Sequence, residues 1–297
     1  MLVTNFTFIN DLPDFATHSE TRLFADDSIL FRFIGNQQDS SLLQEDLQAL
    51  EKWERDWQMM FHPAKCTVLR ICKNPRHRIE TTYTLHGETL QSADSSKYLG
   101  VTLSDDLQWK KHINNTAAKG TRTLGFVRRN LRDCTPMVKS AAYTTIIRPQ
   151  LEYASSVWDP ATATEAHTLE QVQRKAARFV HNRYTDRTPG CVSKMVHDLG
   201  WDSLQHRRYL ARLMMLFKIS NSIVEVPENP LVHSDARTRG TNRFYQIPAS
   251  STIYKNSFFP RTIRDWNLLP AEVTNCQTLG SFRAKVVTLK PCHLQQH

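Results

Sequence analysis

Residues 20–34 read ETRLFADDSILFRFI. Two short apolar runs flank Ala25-Asp26-Asp27-Ser28, and Asp and Ser suit turns because their side chains bond nearby backbone groups. The pattern predicts two strands joined by a tight bend. A regular strand would send Asp26 and Asp27 to opposite faces, whereas a tight turn presents both carboxylates at one sheet edge. Adjacent carboxylates repel and make a cation their natural partner, and Mg²⁺ prefers such oxygens. Alone, an Asp-Asp pair is most often a solvated turn.

Outward from this stretch, residues 39–60 predict a helix capped by Asp39 or Ser40, with Leu43, Leu47, Leu50, Trp53 and Trp57 on one face. Pro63 ends that pattern. Residues 66–72 alternate like a strand, 79–91 suggest a hairpin turning at His86-Gly87, and 97–103 suggest one more short strand. From about residue 108 the chain reads as helical. Trp109, Ile113, Ala117, Gly120, Leu124, Val127 and Leu131 form one stripe. Lys110, Lys111, Lys119, Arg122, Arg128, Arg129 and Arg132 fall away from it. Further helices are expected near 136–147, 165–182 and 203–222. Residues 227–262, with Pro227, Pro230, Pro248 and Pro260 and with Arg237, Arg239 and Arg243, read as loop-rich. Arg207, Arg208 and Arg212 read as surface charges, and Trp158, Trp201 and Trp266 as core.

The 297 residues suffice for one large domain or two ordinary ones, and 40% hydrophobic content allows a buried core. Charge is uneven: residues 1–65 sum to −6 and residues 66–297 to +15. A basic body behind an acidic front suits a polyanionic partner. Aromatic and basic residues are not densely interleaved along the chain, so no single-strand stacking platform is legible. No apolar run reaches the ~18–20 residues of a membrane span, and the N-terminus lacks the basic start of a signal peptide. An intracellular protein, nuclear or cytoplasmic, is the expectation. The cysteines, Cys66, Cys72, Cys134, Cys191, Cys276 and Cys292, form no C-x-x-C pair and are expected to be reduced thiols.

The flanks of the acidic turn carry a resemblance. Ile9-Asn10-Asp11-Leu12-Pro13 followed by Arg22-Leu23-Phe24-Ala25-Asp26-Asp27 resembles reverse transcriptases of jockey-like non-LTR retrotransposons. Trp57-Gln58-Met59-Met60-Phe61-His62-Pro63-Ala64-Lys65-Cys66 is similar to the next motif, with His62 where the family has Asn. Tyr98-Leu99-Gly100-Val101 with Trp109 and His112-Ile113 resembles the block that forms the primer-grip hairpin and enters the thumb. Arg148-Pro149, Leu151-Glu152-Tyr153-Ala154 and Val157-Trp158 resemble a later segment, as does Gln173-Arg174-Lys175-Ala176-Ala177-Arg178. Ser257 to Thr262, with Trp266-Asn267 and Leu269-Pro270, resembles the family's tail.

The resemblance implies an α+β architecture. Residues 1–105 would be a partial antiparallel palm sheet with one packed helix, 106–222 a helical thumb with connecting helices, and 223–297 a loop-rich tail. It implies a segment of an RNA-directed DNA polymerase performing two-metal nucleotidyl transfer with Mg²⁺. Its partners would be an RNA template, a DNA primer, deoxynucleotides, and upstream polymerase and endonuclease segments of the same element. No membrane partner is implied. Asp26 would bind metal directly, Asp27 would assist it, and Phe24 and Ala25 would shape the turn under the primer end. Lys65 would face the incoming triphosphate, an ordinary surface lysine being an equal reading. Tyr98, Leu99 and Gly100 would hold the primer, and Lys110, Lys111, Lys119 and Arg122 would track phosphates. The family's first palm Asp and its G-x-x-Q-G segment are not recognised in these residues, so negligible polymerase activity is expected of this stretch alone. The alternatives are a non-catalytic nucleic-acid-binding module and an inert retroelement relic.

Overall fold

The computed structural model describes residues 9–72, 79–234 and 243–289. Arg237, Arg239 and Cys292 lie outside them. The chain mixes helix and strand, an α+β composition, and divides into two compact units at residues 1–108 and 109–297.

The spine of the first unit is a 21-residue helix. A short helix α1 (Leu12–Phe15) and strands β1 (Glu20–Phe24) and β2 (Asp27–Phe31) precede helix α2 (Gln37–Trp57). The α2 cap is Asn36 rather than Asp39 or Ser40. Asn36 Oδ1 accepts the Asp39 N–H at 3.0 Å, and Asp39 Oδ2 accepts the Asn36 N–H at 3.1 Å. Asp39 is therefore the third residue of a capping box. The Gly35 N–H first, and then the Arg32 guanidinium, hold its carboxyl below the ordinary range.

Two apolar clusters share α2. Leu50 and Trp53 meet Leu12, with Ile9, Phe15, Leu23, Leu30, Met59 and Phe61 around them. Three separated sequence motifs thus converge on one helix face. Farther along, Leu43 and Leu47 pack on Tyr83, Leu85 and Leu90. The polar side chains of α2 bind the surrounding loops. Gln44 bonds both the N–H and the carbonyl of Thr84 at 2.9 Å. Asp46 accepts from His18 N at 3.1 Å. Glu54, only 3% exposed, accepts from Phe61 N and pairs with His86 Nε2 at 2.7 Å. Buried carboxylates persist where such donors compensate lost water.

Among the described residues the strands do not form one antiparallel palm sheet. Among the described residues they make four two-stranded pairs. β3 (Thr67–Leu69) pairs in parallel with β6 (Gln91–Ala93), while β4 (Thr84–Leu85) and β5 (Glu88–Thr89) form the hairpin around His86-Gly87. The single strand expected at 97–103 is instead a hairpin of β7 (Ser95–Tyr98) and β8 (Val101–Ser104). Leu99 and Gly100, with φ of 45° and 82°, make its turn. Two successive positive φ values match the twist of the flanking strands, and glycine supplies the second without a Cβ clash.

The second unit is helical. Helix α3 (Lys110–Asn130) buries Ile113, Ala117, Gly120, Leu124 and Val127, the stripe read from sequence. A Cβ on Gly120 would lie 2.8 Å from Leu151 Cδ2 and 3.4 Å from Val172 Cγ1, so glycine permits close packing there. Helix α4 (Pro136–Ala142) runs into a π-turn at Tyr143–Ile147, then α5 (Arg148–Glu152) and α6 (Ser155–Trp158). Pro149 lacks an N–H and crowds the preceding turn, which accounts for the widened register. Helices α7 (Ala163–Val180), α8 (Cys191–Asp198) and α9 (Leu204–Ser220) follow.

The expected loop-rich tail is corrected in part. From residue 252 the chain forms α10 (Thr252–Lys255), α11 (Phe258–Asn267), α12 (Ala271–Thr274) and α13 (Leu279–Thr288). Pro260 sits in the first turn of α11 and Pro270 caps α12, positions where proline costs no helical bond. Trp266 and Phe282 from this segment stack at 5.3 Å, and Phe217 of α9 stacks on Phe282 at 4.6 Å.

Arg208 and Arg212 are not surface charges. They are 0% and 3% exposed. Asp159 accepts from Arg208 Nε and Arg212 Nε, both at 2.8 Å, and Arg212 Nη2 reaches Asp265 at 2.9 Å. Arg261 bonds the carbonyls of Asp159 and Pro160 at 3.1 and 2.9 Å. Trp158, Trp201 and Trp266 are buried, as read from sequence. No helix among the described residues is long and apolar enough to cross a membrane.

Candidate functional site

The β1–β2 register pairs Phe24 with Asp27, leaving Ala25 and Asp26 as a two-residue turn. Ala25 takes φ 53°, where a Cβ is crowded and glycine is usual. The strain is local and is held by five ladder pairs behind it. Leu23 and Leu30 anchor one hairpin face on Leu50 and Trp53. The opposite face carries Arg22 over the Phe31 ring at 5.7 Å, and Arg22 is held by Glu20 at 2.8 Å. The tip projects into solvent: Phe24 is 62% exposed, and Ala25, Asp26 and Asp27 are exposed. Among the described residues, neither the Asp26 nor the Asp27 carboxylate joins an ion pair or accepts a hydrogen bond.

Two free carboxylates on one turn fit a hard divalent cation as part of a donor set. They do not complete one. Among the described residues no group of three His, Cys, Asp or Glu side chains could hold a metal.

The other residues singled out from sequence are carried by other elements. Lys65 is exposed at the end of a 3₁₀ turn (Pro63–Lys65), its N–H bonded to the His62 carbonyl at 2.9 Å. Next to it, burial and then the Glu54 carboxylate push the Cys66 thiol up. Tyr98, Leu99 and Gly100 form the tip of the β7–β8 hairpin, the first two half-buried and Gly100 exposed. That hairpin is tied to β3 by Thr67 Oγ1 and Ser96 Oγ at 3.1 Å, which links the Lys65 turn to it. Phe24, Ala25, Asp26 and Asp27 thus share one hairpin tip, and Lys65 lies on the turn that leads into β3.

Lys110, Lys111, Lys119 and Arg122 lie on α3 in the second unit, all exposed. With Arg128 and Arg129, α3 carries six cations and no acid in 21 residues. Trp109 caps it without a side-chain bond, and Lys110 and Lys111 oppose the positive end of the helix dipole. Such an exposed run of cations is suited to an external polyanion.

Sequence reasoning missed two features: the Asp159 cluster, and Arg178, whose Nη1 donates to the Arg183 carbonyl at 3.1 Å. Both depend on partners brought together by the fold.

This chain is similar to RNA-directed DNA polymerases of jockey-like non-LTR transposons. The polymerase from the mobile element jockey of Drosophila melanogaster is 26% identical over 213 residues, which is 69% of this chain and 22% of the relative. The probable polymerase from transposon BS of the same fly is 26% identical over 145 residues, 46% of this chain and 16% of the relative. That from transposon X-element is 20% identical over 174 residues, 57% and 19%. The chain therefore spans about a fifth of the length of these relatives. No family model and no solved structure matches it.

Proposed function

We propose that this chain serves as a segment of an RNA-directed DNA polymerase of a non-LTR retrotransposon. The first unit would be part of its palm, and α3 with the helices after it would act as its thumb. The observation carrying this reading is the solvent-facing Asp26-Asp27 pair on a strained hairpin tip, its carboxylates free of protein partners among the described residues. In this reading Asp26 and Asp27 contribute carboxylate oxygens to divalent-metal binding, with further ligands supplied from outside the described residues. Mg²⁺, where bound, would neutralise charge at the phosphates of a deoxynucleotide. Phe24 and Ala25 shape the turn beneath the primer end, and Tyr98, Leu99 and Gly100 support the primer backbone. Lys65 offers an ammonium to a triphosphate in this reading. Lys110, Lys111, Lys119 and Arg122 contact phosphates of the template–primer, giving salt-dependent binding.

Primer extension on an RNA template tests this, using a longer jockey-type polymerase that contains the chain. Asp26→Ala is expected to lower extension by at least about a hundredfold while template–primer affinity is kept. Unchanged extension would defeat the reading. A second reading, a nucleic-acid-binding module without catalysis, is favoured by the cation-only helix and by the absence of a third metal ligand among the described residues. Duplex binding by this chain, together with indifference of the longer polymerase to Asp26→Ala, would support it.

A further inference from the structure

Residues 136–152 form one helical run of α4, the π-turn and α5, and its outward face is without charge. Val138, Ala141, Thr145, Pro149 and Tyr153 are exposed at spacings of three or four residues, which places them on one side. Met137 and Ile146 border this stripe, 78% and 48% exposed, and Tyr153 is 57% exposed. The Thr145 hydroxyl donates to the Ala141 carbonyl at 2.8 Å, so the stripe is apolar in effect. The charges of the run are turned away. Lys139 is buried, with Nζ donating to Asn182 Oδ1 at 2.8 Å. Glu152 is half-buried and held by Arg207 at 3.0 Å, and Arg148 is half-buried. Helix α3 extends the patch. It runs antiparallel alongside, with His112 on Trp158, Gly120 against Leu151, and Thr123 Oγ1 bonded to Gln150 at 3.1 Å. Phe126, 60% exposed, stands one turn beyond Thr123 and so comes level with Ile146, one turn before Gln150.

The surroundings are the opposite. Residues 109–297 hold 28 Lys and Arg against 13 Asp and Glu, a net of +15. An uncharged stripe on so basic a unit offers a polyanion nothing, and offers an acidic protein less than the neighbouring cations do. A second copy docked on it meets no exposed charge. The order of side-chain sizes also reads alike from both ends. Laid antiparallel on itself across a two-fold axis at Thr145, the stripe sets Met137 against Tyr153 of the second copy, Ala141 against Pro149, and Thr145 against Thr145. Thioether meets ring at the ends, a favourable contact, and the small middle lets the helices approach. Self-complementarity of this kind is what a two-fold interface requires. We propose that this face is a two-fold interface between two copies of the chain. With Phe126 it offers on the order of 600 Å² per copy, at the lower end of specific interfaces. The proposal uses neither the acidic turn nor the polymerase reading, so its failure leaves both standing.

Sedimentation velocity on the nuclease-treated whole chain tests it, with a dimer of Kd on the order of 10 µM expected. Raising NaCl from about 0.05 to about 0.3 M should tighten the dimer about threefold, because each chain carries +9 and salt screens the repulsion. Pairing of the acidic front of one copy with the basic body of another would weaken with salt instead, and that result would overturn the proposal. Thr145→Lys and Thr145→Glu each set like charges face to face on the axis and should weaken the dimer at least about tenfold. An equimolar mixture of the two variants opposes lysine to glutamate and should recover the dimer, which a folding defect would not allow. A parent that stays monomeric up to about 100 µM, indifference to both substitutions, or no recovery in the mixture would overturn the proposal. If the parent is monomeric while Thr145→Lys lowers the melting temperature of a longer jockey-type polymerase containing the chain, another segment of that polymerase covers the face and no second copy docks there.

Discussion

The Asp26-Asp27 turn of the first unit and the Asp159 cluster of the second handle charge in opposite ways. In the first, the acids of greatest interest sit at a hairpin tip in water, carried by strand pairs with little core. In the second, three arginines and two aspartates are withdrawn from water into one bonded cluster. A carboxylate that is to meet a ligand must stay accessible and uncommitted. A carboxylate that holds a fold must be surrounded by donors. Asp26 and Asp159 are the two cases in one chain.

Removing Asp159 tests the buried case and has the largest expected effect. Asp159→Ala leaves Arg208 and Arg212 buried without their shared counter-charge, and a loss of roughly 3–5 kcal/mol is expected. Urea denaturation measures it. A loss under about 1 kcal/mol would mean that water reaches the cluster and that the contrast with the first unit is false.

In the first unit the corresponding support is a helix cap. Asn36→Ala removes the bond from Asn36 Oδ1 to the Asp39 N–H and should cost about 1 kcal/mol. Asp39→Asn should cost less, because its Oδ1 can still accept. The reverse order would restore Asp39 as the principal cap.

These positions also mark the limit of sequence reading. The hairpin at 20–31 was legible because alternation and an Asp-rich bend are local signals, and the stripe of α3 because its period is local too. The cap was misplaced by three residues because Asp39 and Asn36 serve one another, and either alone resembles a cap. Residues 97–103 read as one strand because Leu99 is an unexpected residue for a positive φ. The buried state of Arg208 and Arg212 was invisible, since Asp159 lies about 50 residues before them and Asp265 about 50 after. The helices after residue 252 were masked by prolines that occupy first-turn and cap positions. For the site, Asp26 and Asp27 were legible as a pair, but their freedom from protein partners was not. The Arg128 guanidinium over the Tyr184 ring was equally invisible, since the contact spans 56 positions.

A smaller effect distinguishes the second unit by pH. Burial holds the His112 imidazole below its ordinary value, and the ring packs edge-on against Trp158 at 4.8 Å. The unfolded chain therefore takes up the proton first. The stability of the neutral ring is full above pH 6.5 and is lost as pH falls from there through the folded value. Glu170 works the other way: burial raises its carboxyl, so its cost is relieved as pH falls toward 4.5. His112→Phe isolates the first contribution. Between pH 7.5 and 5.5 the parent should lose stability relative to this variant, measured by urea denaturation at each pH. A constant difference would show that His112 is solvated.

The most direct test of the acidic turn uses an internal control. Asp105 and Asp106 are also adjacent acids beside a turn, but Asp106 is engaged by the Gln108 N–H at 2.9 Å and Asp105 is half-buried. Paramagnetic broadening of amide signals by substoichiometric Mn²⁺ compares the two pairs in the same sample. The account predicts broadening at residues 24–28 while residues 104–107 stay sharp, and loss of that broadening in Asp26→Asn with Asp27→Asn. Equal broadening at both pairs, or broadening at 24–28 that survives the double substitution, would contradict it.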